Sequence, residues 1–197
     1  MVHCVFSSFC SHIYKMTGKT LAIFGHPDLE STSVVNKKWL ETLTAEGLDN
    51  VTVHKIAKAQ TKAFSFDVKA EQDLLVAHDR ILFIFPLFWY GLPALFKKWM
   101  DDVLAYGFAY GSSGNALKDK EFRMIISTGG PASAYSKEGP YSCTIEELLL
   151  PLKAMATMTG MKYEESAIIH GCSPFIPCSD EDKEKRVTTF MDAVKGV

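Results

Sequence analysis

From Thr20 onward the chain alternates short unbroken apolar runs with longer stretches whose apolar residues return every three or four positions. Leu21-Ala22-Ile23-Phe24 is such a run, the pattern of a strand covered on both faces. Residues 33–46 follow with Val35, Trp39, Leu40 and Leu43 at helical spacing; Ser33 is placed to cap the start and Gly47 the end. Residues 51–56 read as a second strand and 68–77 as a second helix, with Leu74 and Leu75 facing inward. Residues 80–85 (RILFIF) give the strongest strand signal, and Pro86 stops it. Residues 93–103 read as a helix with Pro in its first turn, and 122–127 as a fourth strand. A long apolar helix over 145–158 closes at Gly160, a fifth strand spans 162–169, and a helix over 180–194 ends the chain behind an acidic N-terminus.

Five strands each followed by a helix predict an α/β three-layer sandwich: a parallel sheet with helices on both faces. Right-handed crossovers leave few topologies, with 2-1-3-4-5 the leading strand order. Residues 1–18 read as a poorly ordered appendage and 19–197 as one domain. The run 2–10 lacks a positive leading segment and is too short to span a bilayer, so no integral membrane segment is expected.

Composition narrows the partners. Lys plus Arg number 21 against 23 Asp plus Glu, a net charge of -2, so the general phosphate attraction of a nucleic-acid binder is missing. The five cysteines are odd in number and form no C-x-x-C pair, which favours a cytoplasmic protein over a disulfide framework. His3, Cys4, Cys10 and His12, or His170, Cys172 and Cys178, lack structural-zinc spacing; they read as buried thiols and incidental histidines, and no metal is expected. Aromatic residues make up 12% of the chain, enough to enlarge the core or to line a site for a flat ligand.

In an open parallel sheet the ligand lies beyond the carboxyl ends of the strands. Three ends carry unusual chemistry. After the first strand come Gly25-His26-Pro27, then Ser31, Ser33 and Asn36 around a helix N-terminus, a grip suited to phosphate. An ordinary capped helix entry is the plain alternative. No G-x-G-x-x-G occurs in this turn, and Gly18-Lys19-Thr20 precedes its strand where a P-loop would follow one. After the third strand, Phe88, Trp89 and Tyr90 stand between Pro86 and Pro93 as a stiff platform for a conjugated ring, or merely as cover for the sheet edge. After the fourth, Ser127-Thr128-Gly129-Gly130 admits a ligand close to the backbone, with Tyr135 and Tyr141 following. Phosphate grip, aromatic wall and close backbone together suggest a flavin mononucleotide site.

These residues resemble the NAD(P)H:quinone oxidoreductase family of flavodoxin-like flavoproteins, which includes DT-diaphorase, bacterial modulators of drug activity and ancillary subunits of potassium-efflux systems. The matching motifs are Gly25-His26-Pro27 with Ser33 and Asn36, the run 85–94 (FPLFWYGLPA), Lys98-Trp99-Met100-Asp101, Gly107-Phe108-Ala109-Tyr110-Gly111 and Thr128-Gly129-Gly130. The match runs from about Thr20 to the last helix. The resemblance implies a flavodoxin-like fold and a homodimer with active sites at the subunit interface. By it, His26, Ser33, Val34 and Asn36 hold the phosphate end of FMN. Pro86, Leu87, Phe88, Trp89 and Tyr90 lie along the ring, and Ser127, Thr128, Gly129 and Gly130 bind its polar edge. Tyr110, Tyr135 and Tyr141 line the substrate pocket, Tyr110 from the partner subunit, with Tyr135, Tyr141 and Gly130 in the catalytic role.

Two positions depart from the pattern. Phe88 stands where many relatives have Gln, and Tyr141 where DT-diaphorase has a histidine paired with the tyrosine matched by Tyr135. A tyrosine donates a hydrogen bond but does not become a cation near neutral pH. The chain also ends soon after its last helix, which favours FMN over FAD, while FAD stays open. The implied reaction is a two-electron, ping-pong hydride transfer from NADH or NADPH through the flavin to a quinone. The alternatives are a regulatory flavoprotein subunit of a membrane transporter, or an azo- or nitro-reductase of the same fold.

Overall fold

The computed structural model describes residues 18–197. The appendage expected at 1–18 lies outside them apart from Gly18, whose carbonyl accepts a hydrogen bond from Asn50 Nδ2 at 3.2 Å. His3, Cys4, Cys10 and His12 also lie outside.

Strands β1 (Thr20–Phe24), β2 (Val51–Lys55), β5 (Arg80–Pro86) and β6 (Glu121–Ser127) run parallel, with β1 between β2 and β5 and β6 beyond β5. The fifth position is filled by two short pieces, β7 (Lys162–Tyr163) and β8 (Ala167–Ile169), each paired with β6. The order is therefore 2-1-3-4-5 as expected, but the last strand is broken where the sequence reads as continuous. Glu164 lies in the break and turns its carboxylate to Arg80 and Arg123, which an unbroken apolar strand would not allow. A small antiparallel hairpin of β3 (Gln60–Lys62) and β4 (Ser65–Phe66), entered through the short helix α2 (Ile56–Ala59), was not legible in the polar residues that form it.

Alternation along each central strand feeds two separate cores, as the two-residue period of a strand requires. Leu21, Ile23, Ile81, Phe83, Phe85, Phe122, Met124 and Ile126 face one side. There they meet α3 (Val68–Val76), α4 (Ala94–Val103), α5 (Ile145–Leu148) and α6 (Leu150–Met158). Ala22, Phe24, Leu82, Ile84 and Ile125 face the other, against α1 (Val35–Glu46) and α7 (Asp180–Lys195). Trp39 of α1 stacks on Phe190 of α7, centroids 5.0 Å apart and planes 3° apart, and this pair locks the two helices together. The helix expected over 145–158 is two helices: Leu149 takes a turn conformation and Pro151, which lacks an N–H, opens the second.

Because β1 leads by α1 to β2 on one side while β5 lies on its other side, the connections diverge between β1 and β5. That divergence opens a crevice at their carboxyl ends.

Candidate functional site

Gly25 follows β1 directly. Its N–H donates to Ile84 at 2.8 Å, and a Cβ there would stand 2.0 Å from the Phe96 ring, so only glycine lets the chain turn this close to the core. His26 comes next and is buried. Its Nδ1 accepts the Asp28 N–H at 3.1 Å, which leaves the ring proton on Nε2 as a free donor. Burial lowers the His26 pKa, with Asp28 opposing, so the ring is neutral at pH 7.

The entry to α1 differs from expectation. Val34 already has helical backbone angles and is the cap residue, with no side chain capping it. Ser33 therefore sits one residue too early, and its Oγ accepts only a long bond, 3.3 Å, from the Lys37 N–H. Asn36 is 2% exposed and donates from Nδ2 to Ser127 Oγ at 2.9 Å, tying the helix start to the end of β6. Its Oδ1 is buried without a partner among the described residues. A buried acceptor without a protein partner is able to take a hydrogen bond from a ligand group.

Beyond β5, Phe88 and Gly91 exchange reciprocal backbone bonds, both 3.0 Å, around Trp89 and Tyr90. Both central residues have positive φ, 45° and 64°, a strained arrangement for non-glycine residues. Trp89 is 95% exposed, Tyr90 and Phe88 about half that, so the turn presents aromatic rings outward. The Phe88 edge meets the His26 ring with centroids 5.6 Å apart. Pro86 is the last strand residue, paired with Ser127, where the sequence reading ended the strand one residue earlier.

Beyond β6, Ser127 and Thr128 are buried and Gly129-Gly130 turn away. Thr128 Oγ1 donates to the Gly130 carbonyl at 3.0 Å, and Gly171 N–H reaches the same carbonyl at 2.9 Å. A Cβ on Gly130 would stand 2.8 Å from the Tyr141 hydroxyl, so this glycine lets the Tyr141 ring lie against the loop. Tyr141 packs edge-on against Tyr135 at 5.0 Å and Tyr90 at 5.6 Å, joining the two loops. Burial raises the Tyr135 pKa, and the facing Thr128 hydroxyl and Gly130 backbone only partly offset it.

The donor inventory follows. Leu87 N–H is spent on Ser127 and Phe88 N–H on Gly91. The N–H groups of Trp89, Tyr90 and Gly129 bond to none of the described residues, while the Gly130 N–H faces the Tyr135 hydroxyl. Three unspent amides on two adjoining loops lie at one crevice end, and the unspent N–H groups of the α1 entry lie at the other.

His26, Ser33, Asn36, Phe88, Tyr90, Ser127, Thr128, Gly129, Gly130, Tyr135 and Tyr141 thus gather around the crevice. Tyr110, in the 107–120 connection and expected to serve a partner's pocket, does not join them within this chain; its ring contact is with Tyr106, 5.8 Å away. An open groove of about 1230 Å³ between α1, α7 and residues 172–178 touches the phosphate end only at Ser31, Ser33 and Val34, so its volume does not mark the ring site. His170 was read as incidental, yet it stands at the carboxyl end of β8, its ring 5.5 Å from Tyr135 and its Nδ1 3.0 Å from Thr128 Oγ1. Applying the strand-end rule to the fifth strand as well would have found it. Among the described residues no group of three or more His, Cys, Asp or Glu is placed to hold a metal ion.

Sheet order, two-faced core and switch-point crevice define a flavodoxin-type sandwich, and the family description for that fold matches residues 18–192. The uncharacterized NAD(P)H oxidoreductase YrkL of Bacillus subtilis (strain 168) is 41% identical over 90% of this chain and 98% of its own. The potassium-efflux ancillary protein KefG of Enterobacter sp. (strain 638) is 38% identical over 78% of this chain and 82% of its own. Among solved structures, general stress protein 14 of Treponema denticola in complex with FMN superposes with a TM-score of 0.78 at 32% identity, covering 89% of this chain and 95% of that one. An NADPH-quinone reductase from P. pentosaceus gives 0.78 and 32%, over 91% and 99%. A thermophilic tryptophan halogenase from Streptomycin violaceusniger gives 0.80 and 35%, over 89% and 97%. The chain belongs to the flavodoxin-like NAD(P)H oxidoreductase family that includes the KefG and general stress protein 14 proteins.

The residues present fit FMN. A planar ring with hydrogen-bonding edges matches the three free amides beside the aromatic turn. A phosphate matches the neutral His26 donor and the helix N-terminus. The buried Asn36 Oδ1 offers an acceptor to a hydroxylated linker between them.

Proposed function

We propose that this protein is an FMN-dependent NAD(P)H:quinone oxidoreductase. The observation that carries the reading is the pair of loops, 88–91 and 128–130, which bring the unspent N–H groups of Trp89, Tyr90 and Gly129 to the switch-point crevice. FMN, when bound, supplies a two-electron carrier that takes hydride from NAD(P)H and passes it to the acceptor. The chain binds and orients. His26 Nε2–H and the α1 N-terminus hold the phosphate, and Asn36 fixes the helix start against Ser127. Trp89 and Tyr90 amides hold one part of the ring edge, while Gly129 and Gly130 amides and the Tyr135 hydroxyl offset negative charge developing at the other. Because burial keeps the Tyr135 hydroxyl protonated, it remains a donor across the working pH range. The exposed Trp89 and Tyr90 rings leave one side open to a flat partner, so donor and quinone occupy the same place in turn. The relatives named NAD(P)H oxidoreductase and NADPH-quinone reductase support this assignment.

The test is the visible spectrum of the purified protein before and after anaerobic NADPH. A yellow protein that bleaches, and regains colour on adding a benzoquinone, is expected; a protein that stays colourless with added FMN overturns the reading. Trp89→Ala is expected to lower FMN retention and turnover together.

The KefG relatives favour a second reading, a regulatory flavoprotein that docks on a membrane transporter. Among the described residues no helix is long and apolar enough to cross a membrane, so such a role needs a separate membrane partner. Recovery of an integral membrane protein with the native complex, lost on mild salt, distinguishes it.

A further inference from the structure

The sequence reads Cys172 and Cys178 as buried thiols; in the structure both are half-buried and free, and both line the groove between α1 and α7. They stand at the two ends of one short segment that leads from β8 into α7. The Cys172 end is anchored: its N–H donates to the Thr128 carbonyl at 2.8 Å, and Arg186 of α7 donates to the preceding Gly171 carbonyl at 2.8 Å. The Cys178 end is anchored too, because the next residue, Ser179, caps α7, its Oγ accepting the Asp182 N–H at 3.0 Å.

Between these anchors the chain turns back on itself. The Ile176 N–H donates to the Ser173 carbonyl at 3.2 Å, and the Phe175 N–H donates to Ser173 Oγ at 3.2 Å. Pro174 and Pro177 have no N–H to offer, and among the described residues no hydrogen bond of residues 173–177 leaves the segment. The turn is free to tighten without breaking a bond to the rest of the fold, and tightening draws its two ends together. Burial pushes the Cys172 thiol up to about 11; the Arg186 guanidinium opposes and the neighbouring Cys178 adds to the rise, so the two sulfurs lie within electrostatic reach of each other. Cys172 stays protonated near neutral pH and donates to the Ile169 carbonyl at 3.3 Å. Cys178 is the more open of the two, its sulfur making only a 3.6 Å contact with the Ser179 carbonyl.

We propose that Cys172 and Cys178 form a reversible oxidation site that closes an intramolecular disulfide when the protein meets hydrogen peroxide. The Cys178 sulfur attacks a peroxide oxygen and the O–O bond breaks. One oxygen leaves as water with the thiol proton, and Cys178 becomes a sulfenic acid. The Cys172 sulfur then attacks the Cys178 sulfur and the S–O bond breaks. That oxygen leaves with the Cys172 proton as a second water, and the S–S bond closes. Two thiols together lose two electrons, and one peroxide is reduced to two waters. The bond ties the end of β8 to the start of α7 and fixes one wall of the groove that reaches Ser31, Ser33 and Val34. The site stands independently of the flavin reading.

The experiment treats the full chain with hydrogen peroxide, blocks the remaining thiols with an alkylating reagent and maps the peptides by mass. No Lys or Arg lies between Lys162 and Lys183, so trypsin leaves both cysteines on one peptide. That peptide is expected to lose two hydrogens and to escape alkylation, and dithiothreitol is expected to restore both thiols. Cleavage by chymotrypsin after Phe175, which is 92% exposed, is expected to leave the two halves joined until they are reduced. Cys143, also half-buried and free, is the internal control and is expected to be alkylated as before. With dimedone as a sulfenic-acid trap, Cys172→Ser is expected to carry at least about tenfold more label on Cys178 than Cys178→Ser carries on Cys172. Bonds from either residue to a different cysteine or to a second chain overturn the pairing. Oxygen addition at Cys178 that dithiothreitol does not reverse overturns the reversible site, and equal trapping at the two positions overturns the order of attack.

Discussion

Asn36 concentrates the site's demands on a single side chain. It is almost fully buried, donates one bond to Ser127 and leaves an oxygen open. Asn36→Ala removes that bond and orphans the Ser127 hydroxyl, an expected loss of about 1–3 kcal/mol in urea unfolding. It is also expected to weaken FMN by tenfold or more, read by fluorescence titration. Residue chemistry at this scale was largely legible. The structure gathers His26, Asn36, Thr128, Gly130 and Tyr135 at one crevice, as the strand-end expectation requires, and places His170 beside Tyr135 at the end of the fifth strand, which that expectation did not consider. The Ser33 cap was misplaced by one residue, since capping preference does not reveal that Val34 has already entered helical geometry.

The strands facing two cores announced themselves through unbroken apolar runs, because burial on both faces leaves no polar position. Breaks inside elements were harder. Pro151 opens a new helix within an otherwise continuous apolar stretch, and Glu164 splits the last strand to reach two arginines contributed by distant parts of the chain. Neither partner is visible from local pattern. Among elements, α1 matters most for the site, because its N-terminus and Asn36 are aimed by its packing. Trp39 against Phe190 sets that packing. Trp39→Ala is expected to cost about 3–5 kcal/mol and to lower the thermal midpoint by about 6–20 °C in calorimetry. FMN affinity should fall in the same variant even at temperatures where it remains folded, since the helix start is then free to shift.

Taken whole, the protein carries two histidines, His26 and His170, held neutral mainly by burial, with pKa values below those of the unfolded chain. For a base depressed in the native state, the unfolded chain binds more protons as pH falls, so stability is full above about pH 6.5 and declines below it. The urea midpoint is accordingly expected to drop between pH 7 and pH 5, and His26→Gln should flatten that decline. The exposed Phe88, Trp89 and Tyr90 lie at the open crevice rim. We expect a second copy to cover this rim. Light scattering should then give twice the chain's 21.9 kDa, and Trp89→Lys should shift the population toward monomer. A monomer with full turnover would reject the shared site.

The aromatic turn has an optical consequence. Of the three tryptophans, Trp39 and Trp99 are sealed in the two cores while Trp89 stands almost wholly in water. The intrinsic emission of the folded protein therefore divides into a blue component from the cores and a red-edge component from Trp89. Flavin arriving beside Trp89 quenches that red edge first, so the protein carries its own unlabelled gauge of site occupancy.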